Sequence, residues 1–79
     1  MWSVGTLVLK EPKNNLNRGY LNGLNCNKLV LHGDAMKWND AFDSGGCKVR
    51  HIDLSNVTSN LMAVNEITSD INGLEGFTL

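Results

Sequence analysis

Apolar and polar positions along the chain fall into one short pattern that is written four times. Val4-x-x-Leu7-x-Leu9, Cys26-x-x-Leu29-x-Leu31, Val49-x-x-Ile52-x-Leu54 and Leu74-x-x-Phe77-x-Leu79 all read apolar-x-x-apolar-x-Leu. Their centres, Leu7, Leu29, Ile52 and Phe77, stand 22, 23 and 25 residues apart. Nine residues beyond the first three centres stand Leu16, Trp38 and Leu61. Tyr20 and Phe42 lie thirteen beyond the first two, and Val64 falls one short of that mark. A recurrence of this length is the mark of a repeat architecture, in which each unit buries its apolar side against the next. The pattern predicts strands of three to five residues, stacked in parallel about 4.8 Å apart. Alternation along a strand turns Leu29, Leu31, Ile52 and Leu54 inward. It turns Lys28, Val30 and His32 on one strand, and His51, Asp53 and Ser55 on the next, toward solvent. Register then sets Lys28 beside His51, Val30 beside Asp53 and His32 beside Ser55, with Thr6, Val8, Lys10, Gly76 and Thr78 extending the same surface.

Between the strands the apolar period lengthens toward that of a helix. Residues 12–24 carry Leu16, Tyr20, Leu21 and Leu24 on one side, but the Asn and Gly among them predict a short or irregular helix. Residues 34–42 predict a better one. Asp34 caps it, Ala35, Trp38, Ala41 and Phe42 form its stripe, and Gly45-Gly46 ends it. The longest helix is predicted over 59–71, buried through Leu61, Val64, Ile67 or Thr68 and Ile71. Ser59 or Thr58 serves as its cap and Gly73 as its stop.

Taken together, the residues resemble a leucine-rich repeat. One stretch is similar to the bacterial surface-antigen (BspA-like, Treponema-type) form of that repeat: Ala41-Phe42-Asp-Ser-Gly-Gly-Cys47-Lys-Val49-Arg-His-Ile52-Asp-Leu54-Ser-Asn-Val57. The spacing from Ala41-Phe42 to Cys47 is longer than that family's. Pro12, Asp34 and Val57 stand where many leucine-rich repeats carry Asn. The resemblance implies an α/β fold: a short leucine-rich-repeat-like solenoid with a parallel strand ladder on one side and short helices or turns on the other. It also implies a surface or secreted adhesive role. A right-handed β-helix has rungs of similar length and is the rival fold. The helical stripes at Trp38 and Leu61 argue against the two further strands per rung that it needs.

Composition narrows the function classes. Seventy-nine residues make one domain, close to the size at which a single core is marginal. The expected units are about 1–24, 25–47, 48–72 and a partial unit 73–79. A net charge of −1 and a pI near 6.0 give no electrostatic footprint for nucleic acid. No apolar run approaches the ~18 residues of a membrane span, and the first residues lack the basic and small-residue features of a signal peptide. Eleven Asn and eight Gly against a single Pro suit a fold with many tight corners.

Candidate chemistry is sparse. Cys26, His32, Cys47 and His51 hold metal-ligand types, but there is no Cys-x2-Cys pair, and alternation points Cys26 inward and the two His outward. No metal or cofactor is expected. Cys26 and Cys47 sit two residues out of register on adjacent strands, about 8 Å apart, beyond the ~6 Å Cα separation usual for a disulfide. Buried free thiols are the expectation. Cys47 with His51 and Asp53 nearby has the residue types of a nucleophile, base and orienter, yet such groups act only where they converge in space. Asn56-Val-Thr58 is a glycosylation sequon, relevant only in a secretory setting.

The expectation is a non-catalytic protein-interaction module that binds through Lys28, Val30, His32, His51, Asp53 and Ser55. The alternative is a structural assembly subunit, for example of a viral or phage particle, joined at its edges through Trp2, Phe77 and Leu79. A third class is a small enzyme or inhibitor with an irregular α+β fold. The motif runs to both ends of the chain, so the chain is expected to be part of a longer one or to pair edge to edge.

Overall fold

A computed structural model describes residues 2–14, 16–43, 46–58 and 61–79, with the side chains of Trp2 and Leu61 outside that description. The chain forms a mixed α/β fold in which every strand pairing is parallel. Strands β1 (Trp2–Leu9), β2 (Leu24–Asp34) and β3 (Cys47–Thr58) lie side by side. Two short pieces, β4 (Ile71–Asn72) and β5 (Gly76–Thr78), both pair with the far side of β3. Helix α1 (Ala35–Trp38) continues into a 3-10 turn at Asn39–Ala41, and helix α2 is Leu61–Asp70.

Register follows the sequence repeat. Leu7 faces Leu29, Leu29 faces Ile52 and Ile52 faces Phe77, so the four centres make one row across the sheet. The strands are longer than expected because their alternation is reset without the strand ending. In β3 the buried positions are Cys47, Val49, Ile52, Leu54 and Val57, so two successive residues face away from the core at Arg50–His51 and again at Ser55–Asn56. In β2 the same reset falls at Asn27–Lys28, directly opposite the first reset of β3. Each reset bends the strand and keeps both of its halves on one core. At the second reset β3 carries one residue more than β2, a bulge that shifts register between Val30 and His32. His32 therefore stands opposite Asn56, not the expected Ser55. The fourth strand is broken the same way: Gly73, Leu74 and Glu75 span the gap that Val49 and Arg50 fill on β3.

The return paths differ more from expectation. Residues 18–23 form turns and no helix is present among the described residues of 10–23, as its Asn and Gly content favours. Tyr20 is accordingly exposed and does not share the buried side of Leu21 and Leu24. Asp34 caps α1 as expected, its carboxylate accepting a hydrogen bond from the Met36 amide at 2.9 Å. Its helix is shorter than predicted, tightening into the 3-10 turn before Phe42. Trp38 is buried and donates its indole N–H to the His32 carbonyl at 2.9 Å, so a large ring is packed without an orphaned donor. Helix α2 buries Ala63, Val64 and Ile67, a three-four stripe continued by Ile71. It ends at Asp70 and passes straight into β4, so Gly73 is not its stop. Gly73 instead turns the broken edge strand at a φ of +69°. The predicted caps and stops at Ser59 and Gly45 lie outside the described residues.

The first return path stacks on the second through the backbone. Gly19 N donates to Asp40 O at 2.8 Å, Leu21 N to Ala41 O at 3.0 Å and Gly23 N to Gly46 O at 2.7 Å. Beneath them lies one core of apolar side chains from β2, β3 and both helices, with no buried polar residue among those described.

Candidate functional site

The helices and turns cover the apolar side of the sheet and leave the other side to solvent. On that open side the register aligns Thr6, Lys28, His51 and Gly76 in one row, and Val8, Val30, Asp53 and Thr78 in the next. Lys28 and Ser55 are exposed, while Val30, His32, His51 and Asp53 are half-buried. Three hydrogen bonds fix His51 and Asp53. His51 Nε2 and Thr78 Oγ1 are 2.8 Å apart, a hydrogen bond across β3 and β5. Asp53 Oδ1 accepts from the Ser55 amide at 2.9 Å and from the Ser55 hydroxyl at 2.6 Å. These Ser55 bonds hold the Asp53 carboxyl below the usual carboxylate range, with smaller help from the positive charge of Lys28 and from His51. The face thus presents a solvated cation at Lys28, a bonded imidazole at His51 and a bonded anion at Asp53, within two neighbouring rows. His32 is drawn away from Ser55 by the bulge, so the site residues form a compact Lys28–His51–Asp53–Ser55 group with Val30 between them and His32 at its margin.

Of the edge residues, Phe77 is 50% and Leu79 68% exposed. The backbone of Trp2 begins β1, but its side chain lies outside the described residues.

The cysteines lie on the other side of the sheet. Cys26 faces Val49, which leaves Cys47 two residues out of register, and both thiols are free and buried. Burial pushes the Cys47 thiol up to about 11, aided by the neighbouring Cys26 and Asp70, and burial pushes Cys26 up as well. A nucleophilic thiol needs the opposite environment. Cys47 points into the core while His51 points out of it, so the two do not converge. No group of three or more potential metal ligands occurs among the described residues.

A second concavity went unread in the sequence. Arg18, Asp40, Asn65, Glu66, Ser69 and Asp70 line an open cleft of about 370 Å³ between the first turn, the 3-10 segment and α2. Its only sequence signal is the pair Glu66 and Asp70, four apart on the polar side of α2. Arg18 is 3.6 Å from Asp43 and largely exposed, so the cleft is a solvated polar surface. No helix among the described residues is long and apolar enough to cross a membrane. Comparison of the chain with protein-family models, with curated proteins and with solved structures gives no match.

Proposed function

We propose that the chain is a non-catalytic protein-interaction module, built as a short leucine-rich-repeat-like solenoid and binding through the open face of its strands. The observation that carries this reading is that face itself. All-parallel sheets are normally covered on both sides, yet here one side presents Lys28, His51 and Asp53 in adjoining rows, with His51 fixed by its bond to Thr78 and Asp53 by its bonds to Ser55. Such a face offers a partner a preorganised set of charges and hydrogen bonds on a rigid scaffold. The solenoid part of the reading is supported by the single Leu7–Leu29–Ile52–Phe77 row and by the backbone bonds between the first and second return paths. The BspA-like resemblance favours an adhesive partner at a cell surface.

The test is a selection of peptide binders from a displayed library against the folded chain, followed by amide shift mapping. Binders are expected to perturb Lys28, Val30, His51 and Asp53, and to be lost in a K28A/H51A/D53A chain of unchanged oligomeric state. Binders that map to α2 or to β1, and survive the triple substitution, overturn the reading.

A second reading is favoured by the strand edges. Neither β1 (WSVGTLVL) nor β5 (GFT) holds a charged residue, whereas edge strands are usually protected by charge or Pro. On this reading the chain is an assembly subunit, of a viral or phage particle for example, joined to its neighbours through Phe77, Leu79 and the β1 edge.

A further inference from the structure

The internal repeat identifies what fits an open edge of this sheet. Inside the chain the same sequence, apolar-x-x-apolar-x-Leu, is laid three times onto a preceding copy of itself, always parallel and with centre facing centre. β1 and β5 are the two ends of that series. Among the described residues β1 pairs with β2 alone and β5 with β3 alone.

Exposure along the rows rises toward β1 and β5. The interior members Leu29, Leu31, Ile52 and Leu54 are at most 3% exposed, while Phe77 and Leu79 at one end are 50% and 68% exposed. At the other end Val4 is 36% exposed and Leu7 and Leu9 are half-buried. Each end lacks what the other carries: β5 needs a parallel strand with an apolar centre, and β1 is such a strand with an open outer edge.

We propose that copies of this chain stack head to tail, β1 of one copy adding in parallel to β5 of the next. The occupant of each edge is thus a second copy of the same chain, and the inference rests on the edge-assembly reading above. Continuing the observed register places Leu7 of the second copy opposite Phe77, Thr6 opposite Gly76 and Val8 opposite Thr78. Gly5 then comes opposite Glu75, the one charged residue near this edge. Glu75 is already paired with Arg50 at 3.0 Å, and Gly5 presents no side chain to it. The contact is heterologous: it joins two different surfaces and leaves one of each open, so it propagates beyond a pair.

Two edge substitutions and their mixture test it. Phe77→Asp puts a charge on the β5 edge and Val4→Asp puts one on the β1 edge. Both positions are exposed in the single copy and buried in the stack, where an unpaired carboxylate is costly. Sedimentation velocity on the unaltered chain is expected to show species growing beyond the dimer with concentration. Either variant alone is expected to stay monomeric, with far-ultraviolet circular dichroism unchanged. An equal mixture is expected to give a one-to-one dimer and nothing larger, because each Val4→Asp copy keeps a native β5 edge and each Phe77→Asp copy a native β1 edge.

A chain that stays monomeric at high concentration overturns both this inference and the assembly reading. A chain that assembles but is disrupted by only one of the variants, or whose mixed variants stay monomeric, overturns the head-to-tail arrangement and leaves edge assembly standing.

Discussion

Truncating the central row at each of its positions should give a graded loss of stability. Leu29 and Ile52 are fully buried between neighbouring strands, whereas Phe77 ends the row half-exposed. Leu29→Ala removes its buried methyl groups and leaves a cavity that the strands on either side hold open, a cost of about 3 kcal/mol. Ile52→Val removes one methyl group and should cost about 1 kcal/mol. Phe77→Ala deletes a larger side chain from a more open site. With half the ring already in water and no closed cavity left behind, about 1 kcal/mol is expected. A domain of 79 residues has a total stability of roughly 4–12 kcal/mol at ~0.05–0.15 kcal/mol per residue. Leu29→Ala therefore removes a quarter or more of it and should lower Tm by about 12–24 °C, at ~4–8 °C per kcal/mol for this size. Urea titration at low protein concentration, followed by tryptophan fluorescence, measures all three. Midpoints should fall in the order Ile52→Val and Phe77→Ala, then Leu29→Ala, with unchanged slopes. Phe77→Ala as costly as Leu29→Ala in the dilute chain would refute the row as described, since it would require β5 to be covered.

Asp34→Ala should cost about 1 kcal/mol by freeing the Met36 amide, and Asp34→Asn should recover most of it, both read by thermal melting. Gly33→Ala should destabilise by more than about 1 kcal/mol, because Gly33 has a φ of +101° and an added Cβ would overlap the Glu11 side chain. Glu11→Ala in the same chain should return little of that loss, because the Glu11 Cβ, the atom nearest the added methyl group, stays in place. Cys47 has a folded pKa of about 11, raised from an ordinary value of 9.0, so the buried thiol costs nothing below pH 9. As pH rises from 9 to 11 the unfolded thiol ionises and the folded one does not, removing up to about 2 kcal/mol. Cys47→Ala should flatten that decline in urea midpoints, and an undiminished decline would refute the burial argument.

Much of the sheet was legible because its information is periodic. The repeat of apolar centres placed Leu7, Leu29, Ile52 and Phe77 in one row, and the same count put Lys28 beside His51 and Val30 beside Asp53. What escaped was whatever one extra residue decides. Nothing in Asp53-Leu54-Ser55-Asn56 announces which residue will bulge, and the bulge moved His32 from Ser55 to Asn56. Strand lengths were underestimated for a related reason. Two successive polar residues such as Asn27-Lys28 break strict alternation, but with buried Cys26 on one side and buried Leu29 on the other they lie within one strand. The first return path was read as a weak helix from Leu16, Tyr20, Leu21 and Leu24. Their spacing fits a helix, yet Asn and Gly favour turns there, and the backbone bonds from Gly19, Leu21 and Gly23 to the next return path supply the partners that helical bonds would have given. The polar cleft beside α2 was invisible because it joins residues from three segments, and only Glu66 and Asp70 stand at a telling spacing.

The distribution of charge separates the two surfaces on which the proposals rest. On the open face, charged and hydrogen-bonding groups are present and held: Lys28 lies beside His51, His51 is bonded to Thr78 and Asp53 to Ser55. Along the edges charge is missing from β1 and β5, and the exposed apolar side chains of their core-side rows are Val4, Phe77 and Leu79. Solvated charges keep a face from sticking indiscriminately and reserve it for a partner with a matching arrangement. A bare edge is selective in another way, since it accepts only a strand whose apolar centres fall in register. The two sets of residues do not overlap, so the functions they support should come apart. A K28A/H51A/D53A chain should lose face binders and still assemble, while a Phe77→Asp chain should stay monomeric and bind them with unchanged affinity. Loss of face binding in the Phe77→Asp monomer would mean that the binding surface is completed by the neighbouring copy, and that face and edge serve a single interface.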